Sequence, residues 1–348
     1  MNNQRICVLY EIWYADEEYE PVKPRRGKKK SKREKEVHEE VHEALGKLGY
    51  EPFYHVLEGD RKSLAKLGTT RASLIFNLTE SYAGDDTKDL HLAAYLDLLG
   101  KRYTGGGPDA LHLGQDKVLA KKVLTFHGIR TPFFAVSYRG KIGWADDISF
   151  PLIVKPQNED GSIGIDANSV VTSVKDLMAR IDYIHTEFDC AALIEEYIEG
   201  REIYCGVVGN DQPEALPLVE LDLTKVPSHI PKIAGTEVKW WKDTELYRIT
   251  QPFFPDDLSP DLEKRLKETA VEAYRVLKCR DYGRVDMRLM KDGKIHVLEV
   301  NPNPWLVSFA EFGMAWLRTG RSYPELIQSI VELAVARYAE PAVGDLRF

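Results

Sequence analysis

The sequence predicts an α/β (α+β) protein of two or three domains, on three observations. Its 348 residues are long for a single hydrophobic core. Strand-like and helix-like patterns alternate through about the first hundred residues, as they do in α/β chains. From about residue 105 the pattern changes to helices interleaved with glycine loops and strands that end in acidic residues. The expected divisions are 1–104 for an N-terminal α/β domain, 105–194 for a central domain and 195–348 for a C-terminal domain.

The elements follow in order. RICVLYEIW reads as a strand, and EVHEEVHEALGKLGYEP as an amphipathic helix on Val37, Val41, Leu45 and Leu48 that Gly49 ends. SLIFNLTE reads as a buried strand, LHLAAYLDLLG as a helix, and KRYTGGG as a strand running into a glycine loop. The second part brings the helix QDKVLAKKVLTFHG, the turn RTP, the strand FFAVSY, and PLIVKPQNEDGSIGI, a strand entering a loop with Gly161 and Gly164. The helix VKDLMARIDYI and the strand CAALIEEYI come next. REIYCGVVG, LPLVELD, a long helix from Asp261 to Lys278, a hairpin and the helix PELIQSIVELAVARYAE complete the chain.

Bulk properties exclude several classes. At 43% hydrophobic and 29% charged residues the chain is globular rather than disordered. The net charge is −8, yet KPRRGKKKSKREK, residues 23–35, holds nine Lys/Arg and one Glu, or +8, which leaves −16 on the rest. So acidic a body is unsuited to sequence-independent nucleic-acid binding, which needs a basic footprint. The basic run itself reads as a solvated loop or as an anchor for an acidic substrate or partner. Cys7, Cys190, Cys205 and Cys279 form no CxxC pair, which argues against a disulfide framework or a thiolate zinc site and suits a reducing cytoplasm. No stretch approaches a membrane span, and ICVLY has no cleavage-site pattern after it.

The hairpin GRVDMRLMKDGKIHVLEVNPNP, residues 283–304, carries the strongest chemical signal. With Asp292-Gly293 as a two-residue turn, Lys291 faces Lys294, Asp286 lies opposite Glu299, and Arg284 lies opposite Asn301. Arg284, Asp286, Glu299 and Asn301 then share one face, while Val285, Met287, Leu289, Leu298 and Val300 form the other. Two carboxylates directly across from each other are destabilising unless a cation lies between them. Asp286, Glu299 and Asn301 offer only hard oxygen ligands, which points to Mg²⁺ or Mn²⁺, and Mg²⁺ commonly shares its shell with substrate phosphates. The other reading is a surface hairpin whose acids pair with Arg284 and Arg288. The NPNP that follows argues against it by fixing a rigid loop beside the acids.

Two further segments suit a nucleotide. In PLIVKPQNEDGSIGI, Lys155 supplies a point charge at a strand end, and Gly161 and Gly164 let backbone N–H groups approach phosphates, although neither a Walker A pattern nor GxGxxG occurs. In CAALIEEYIEGREIYCGV an apolar strand ends in acids; it suits an adenine slot, with Glu202 as an acceptor for ribose hydroxyls. One motif competes: His38-Glu39-Glu40-Val41-His42 matches the HExxH of zinc proteases, but spacing places no third ligand.

Together these segments resemble the ATP-grasp superfamily, and within it the D-alanine:D-alanine ligase branch, through FNLTESYAG, YTGGG, QDKVLAKKVLTFHGIRTP, PLIVKPQNEDGSIGI, LIEEYIEGRE and GRVDMRLMKDGKIHVLEVNPNP in the family's order. The resemblance implies a three-domain ATP-grasp fold with ATP held between the central and C-terminal domains. By position, Asp286, Glu299 and Asn301 resemble the magnesium ligands. Lys117 and Lys155 resemble the phosphate-contacting lysines, and Gly161, Ser162 and Gly164 the phosphate-covering loop. Glu195, Glu196 and Ile198 match the adenine segment and Glu202 the ribose acceptor. Lys239 in EVKWW is a further lysine near phosphates and substrate, Arg284 matches the arginine that steadies the intermediate, and Asn303, Trp305 and Ser308 fall on the substrate side.

The implied activity is ATP-dependent joining of a small-molecule carboxylate to an amine through an acyl phosphate, with ATP and Mg²⁺ (or Mn²⁺) as cofactors, in the cytoplasm, without nucleic acid or membrane as partner. Homodimers are common in the branch. The sequence departs from the branch where substrates are chosen: the glycine-rich GGxSxEHEVS segment is missing, Glu11 to Glu20 and the basic loop standing in its place, Trp305 replaces a glycine, and Ala310 replaces a carboxylate-binding serine. The expected substrates are therefore another amino acid, a peptide or a specialised metabolite. A D-alanine:D-alanine ligase with an altered acceptor site and a nucleotide-binding protein without turnover stand as alternatives.

Overall fold

Pro52, one residue into the strand Glu51–Leu57, indicates how the first sheet is built. Proline has no N–H to donate to a ladder and is tolerated where its nitrogen faces away from a partner strand, and this strand lies at an edge of a parallel sheet in which Arg5–Glu11 is central and Leu74–Asn77 takes the other side. A computed structural model describes residues 4–12, 35–138, 141–143, 149–159, 161–239 and 241–339. The basic run of residues 23–35, but for Lys35, and all of the 11–20 segment beyond Ile12 lie outside them. Ile6, Cys7, Val8 and Leu9 are buried without interruption, as a central parallel strand covered on both faces requires.

The chain divides into two compact units, residues 1–108 with 305–348, and residues 109–304. The C-terminal segment 305–348 thus groups with the N-terminal unit instead of with residues 195–304, because the helix Tyr323–Ala339 packs on the helix Val37–Lys47. That contact joins distant parts of the sequence, and no local pattern announces it. The expected boundary at 194/195 falls inside the strand Ala192–Glu196.

The second unit holds two antiparallel sheets. In the first, the order is Lys141–Gly143, Phe134–Tyr138, Ala192–Glu196, Leu152–Pro156, Val170–Val171. The helix Val174–Glu187 covers it through Leu177, Ile181 and Ile184. In the second, the order is Pro252–Phe253, Val219–Leu221, Arg201–Val208, Tyr282–Leu289, Ile295–Asn301, with Glu214–Ala215 paired to Arg201–Val208. One face of this sheet packs on the helices Pro260–Val276 and Lys117–Phe126. Its opposite face is left for chemistry. No helix among the described residues is long and apolar enough to cross a membrane.

The hairpin keeps the expected facing pairs but reaches them differently. Arg284 pairs with Asn301 and Asp286 with Glu299, whereas Met287 pairs with Val297. The turn spans three residues, Lys291 to Gly293: Gly293 adopts φ +78° and donates its N–H to the Met290 carbonyl, while the Met290 N–H is bonded to Lys294 O. A bulge at Leu298 then restores the register. The two one-residue shifts cancel by the time the strands reach Asp286. Leu298 consequently leaves the core face to line a cleft, and Val297, fully buried, takes its place beside Met287 and Val300.

Candidate active site

Side chains from both sheets of the second unit converge on one cleft enclosing about 580 Å³, part of it open to solvent. From the first sheet and its loop come Ile153, Lys155, Ser162, Glu195 and Glu196; from the second come Glu202, Asp286, Arg288, Leu298 and Glu299. Lys239 and Ile198 line the cleft as well. A more open depression of about 1010 Å³ beside Arg180 and Tyr183 lacks such a gathering of lysines and carboxylates.

Alternation along the strands puts Asp286 and Glu299 on the cleft side, and their surroundings make them unequal. Burial raises the Asp286 carboxyl to about 6, although the Arg284 guanidinium opposes it. Burial also works to raise Glu299, but the Lys117, Lys239 and Lys155 ammoniums outweigh it and hold that carboxyl at about 2. Arg284 grips Asp286 in a fork, Nε to Oδ1 at 2.7 Å and Nη2 to Oδ2 at 2.9 Å, with its guanidinium 5.3 Å from the Tyr204 ring centre. Asp286 is 2% exposed, so this is not a surface hairpin with solvated ion pairs. Arg288 instead meets Glu202, at 2.6 Å.

Asn301 stands beside Asp286 and Glu299, in register with Arg284, its Nδ2 buried and without a hydrogen-bond partner among the described residues. Two carboxylates and an amide oxygen are a donor set that suits Mg²⁺ or Mn²⁺. Among the described residues no group of three or more His, Cys, Asp or Glu side chains gathers to hold a metal. The HExxH histidines are engaged elsewhere, His38 stacked on Tyr10 at 4.0 Å and His42 on Tyr54 at 4.4 Å.

The glycine loop is shaped by its backbone. Gly161, Ser162 and Gly164 have φ of +59°, +65° and +70°, and a Cβ on Gly164 would meet the Phe188 ring at 2.7 Å. Ser162 Oγ donates to Ala234 O, and Thr236 Oγ1 to Ser162 O, both at 2.8 Å. These bonds tie the loop to the short helix Thr236–Lys239 that carries Lys239. Burial works to lower the Lys239 pKa, but the Glu299 and Asp286 carboxylates raise it. Lys117 opens the helix Lys117–Phe126, whose N-terminus Asp116 caps by accepting from the Val118 and Leu119 N–H groups. Its ammonium donates to Glu159 O and lies 3.9 Å from Glu299.

Pro132, Ile153, Ile198, Ile233 and Leu298 give the cleft an apolar side suited to a flat base, with Glu196 at its exposed rim. Glu202, paired to Arg288, also accepts from the Tyr204 hydroxyl at 3.1 Å. The Glu195 side chain is 1% exposed and lies between Lys155 and Lys121, ion-paired to both. Lys121 escaped the sequence reading. Its signal was a lysine on the core-facing stripe of a helix, in line with Lys117 and Leu124.

The substrate-side residues divide. Asn303 belongs to the second unit, whereas Trp305 and Ser308 belong to the first. There Trp305 packs edge-on against Phe309 at 5.4 Å, and Ser308 donates its N–H and hydroxyl to Glu40 at 2.8 and 3.0 Å.

The family described as D-ala D-ala ligase C-terminus matches residues 140–332. The chain is 34% identical over 304 residues to the protein y4sG of Sinorhizobium fredii, covering 85% of this chain and 86% of that protein. It is 33% identical over 308 residues to a D-alanine–D-alanine ligase of Bordetella petrii, covering 87% of each. A crystal structure of the D-alanine–D-alanine ligase from Bacillus anthracis complexed with ATP superposes with a TM-score of 0.73 at 22% identity, covering 97% of this chain and 99% of that one. That likeness carries the fold, and the sequence relatives carry the family. The chain belongs to the D-alanine–D-alanine ligase-like family of ATP-grasp proteins, enzymes of the carbon–nitrogen ligase class.

Proposed function

We propose that this enzyme uses ATP to join a small-molecule carboxylate to an amine. A substrate carboxylate oxygen attacks the γ-phosphorus, the bond to the leaving ADP breaks, and an acyl phosphate forms. The amine nitrogen then attacks the acyl carbon, phosphate departs, and the amine proton is lost as the amide forms. Both steps gather negative charge on oxygens, so positive charge and alignment are what the protein must supply.

The observation that supports this reading is the convergence of Lys155, Glu202, Lys239, Asp286 and Glu299 on one cleft with an apolar side. In this reading Lys117 and Lys155 meet the phosphates, and Gly161, Ser162 and Gly164 cover them. Glu196 and Ile198 border the adenine, Glu195 acts beneath it by holding Lys155, and Glu202 accepts from the ribose. Lys239 and Arg284 face the developing charge. Asp286, Glu299 and Asn301 would hold Mg²⁺, which supplies positive charge to the phosphate oxygens when bound. Asn303, Trp305 and Ser308 are assigned to the substrates. With Trp305 and Ala310 where the branch carries glycine and serine, the substrates are an amino acid, peptide or specialised metabolite other than two D-alanines.

ADP release measured with a panel of paired carboxylates and amines, with products identified by mass, tests the proposal. Release that requires both partners, with a ligated product, is the expected result. If MgATP binds but every pairing is silent, the protein binds nucleotide without ligating. A D-alanyl-D-alanine product would assign to it the reaction for which its Bordetella relative is named.

A further inference from the structure

Lys155, assigned above to the nucleotide phosphates, is already ion-paired, its Nζ 2.8 Å from Glu195 Oε2. A lysine neutralised by one carboxylate has little net charge left for an anion. The other oxygen of that carboxylate, however, is held by Lys121 at 2.7 Å. Lys121 is 1% exposed and donates further to Thr131 Oγ1 at 2.9 Å and Leu298 O at 3.3 Å, so its ammonium is enclosed and does not reach the cleft. Two cations thus share one anion, and the surplus positive charge is presented only through Lys155, which lines the cleft.

We propose that Lys121 is a positioning residue: it offsets the charge of the buried Glu195 carboxylate so that Lys155, oriented by the same carboxylate, keeps its charge for the phosphates of ATP. This rests on the nucleotide site proposed above. Glu195 fixes where the Lys155 ammonium sits, and Lys121 prevents that restraint from becoming neutralisation. Without Lys121, Glu195 has one partner left, and separating Lys155 from it would strand a buried charge.

Titration calorimetry with MgATP on the full chain tests this with two variants. Lys121→Met keeps the length of the side chain and removes its charge; Lys121→Met with Glu195→Gln removes one cation and one anion, returning the site to the net charge of the wild type. The single variant is expected to bind MgATP on the order of tenfold more weakly, the loss of one charge-assisted contact; the double variant, in which the amide oxygen of Glu195→Gln still accepts from Lys155 and holds it in place, is expected to recover most of that loss, to within about threefold of wild type. Wild-type affinity in the single variant overturns the proposal. So does a double variant as weak as the single one, because packing rather than charge would then be what Lys121 provides. If the single variant does not fold, the double variant decides: folded and binding near the wild-type level it supports the proposal, and folded but weak, or unfolded, it overturns it. Failure of the wild type itself to bind MgATP would defeat the nucleotide site, a distinguishable result.

Discussion

Asp286 and Glu299 face each other on adjacent antiparallel strands, both at one cleft, and ionise unequally. Arg284 grips the first, and Lys117, Lys155 and Lys239 set the charge of the second. Buried charges in this density are poor value for stability, because desolvation offsets most of their attraction. Their concentration at a cleft is what an active site needs, and the reading as a phosphate and metal site rests on it.

Glu299→Ala is expected to lower Mg²⁺-dependent ADP release by at least about a hundredfold, the scale seen when one preorganised electrostatic contact to a transition state is removed. The strand ladder between Tyr282–Leu289 and Ile295–Asn301 uses backbone groups, so circular dichroism and the melting temperature should stay close to those of the wild type. Turnover unchanged at saturating Mg²⁺ would remove Glu299 from the machinery.

Glu202→Gln separates binding from chemistry. Arg288 loses its ion pair but still donates to the carbonyls of Gly200 and Lys232, at 2.9 and 2.7 Å, so the strand it sits on stays anchored. If Glu202 accepts from ribose, KM for ATP should rise on the order of tenfold with little change in kcat, the mark of lost uniform binding. An equal loss in kcat with KM unchanged would place Glu202 with the reacting groups instead.

The hairpin shows what a sequence discloses. Counting back from a two-residue glycine turn pairs Asp286 with Glu299 because the extra turn residue and the bulge at Leu298 offset each other. The longer turn and the compensating bulge have no local signature, so Leu298 was assigned to the core while it lines the cleft. The strand Glu51–Leu57 has no clear sequence signal because, half-exposed at a sheet edge, it has neither a continuous apolar run nor a clean alternation. Lys121 is hidden in the sequence because a lysine on a helix reads as solvated until its partner is known, and Glu195 is 74 positions away in sequence and adjacent only in the fold. Element types were legible from local periodicity; ion partners and the grouping of residues 305–348 depend on tertiary contacts.

Gly164→Ala addresses the glycine loop. At φ +70° an L side chain is strained, and its Cβ would lie 2.7 Å from Phe188 and 2.8 Å from the Pro156 ring, neither of which is the end of a flexible chain. A loss of about 1–3 kcal/mol in stability is expected, with a higher KM for ATP because the backbone beside Ser162 must shift. Denaturant melts and initial rates measure the two effects. Wild-type values in both would mean the loop tolerates a side chain there.

Glu11 gives the chain a pH dependence remote from the cleft in sequence. At the end of the central strand Arg5–Glu11, its Oε1 accepts from the Glu80 and Ser81 N–H groups at 2.8 and 2.9 Å, while its buried Oε2 has no hydrogen-bond partner among the described residues. Burial raises its pKa from 4.5 to about 7, and those N–H groups only moderate the rise. The folded state therefore holds the proton more tightly than the unfolded one. Its stabilising contribution is fully present below pH 4.5 and is lost as pH rises through about 7. Glu11→Gln keeps an acceptor for the two N–H groups and does not ionise, so it should match the wild type near pH 4.5 and exceed it at pH 8 by on the order of 2–3 kcal/mol. Urea denaturation of both proteins across this range is the measurement, and parallel curves would show that Glu11 ionises with its ordinary pKa in the folded protein.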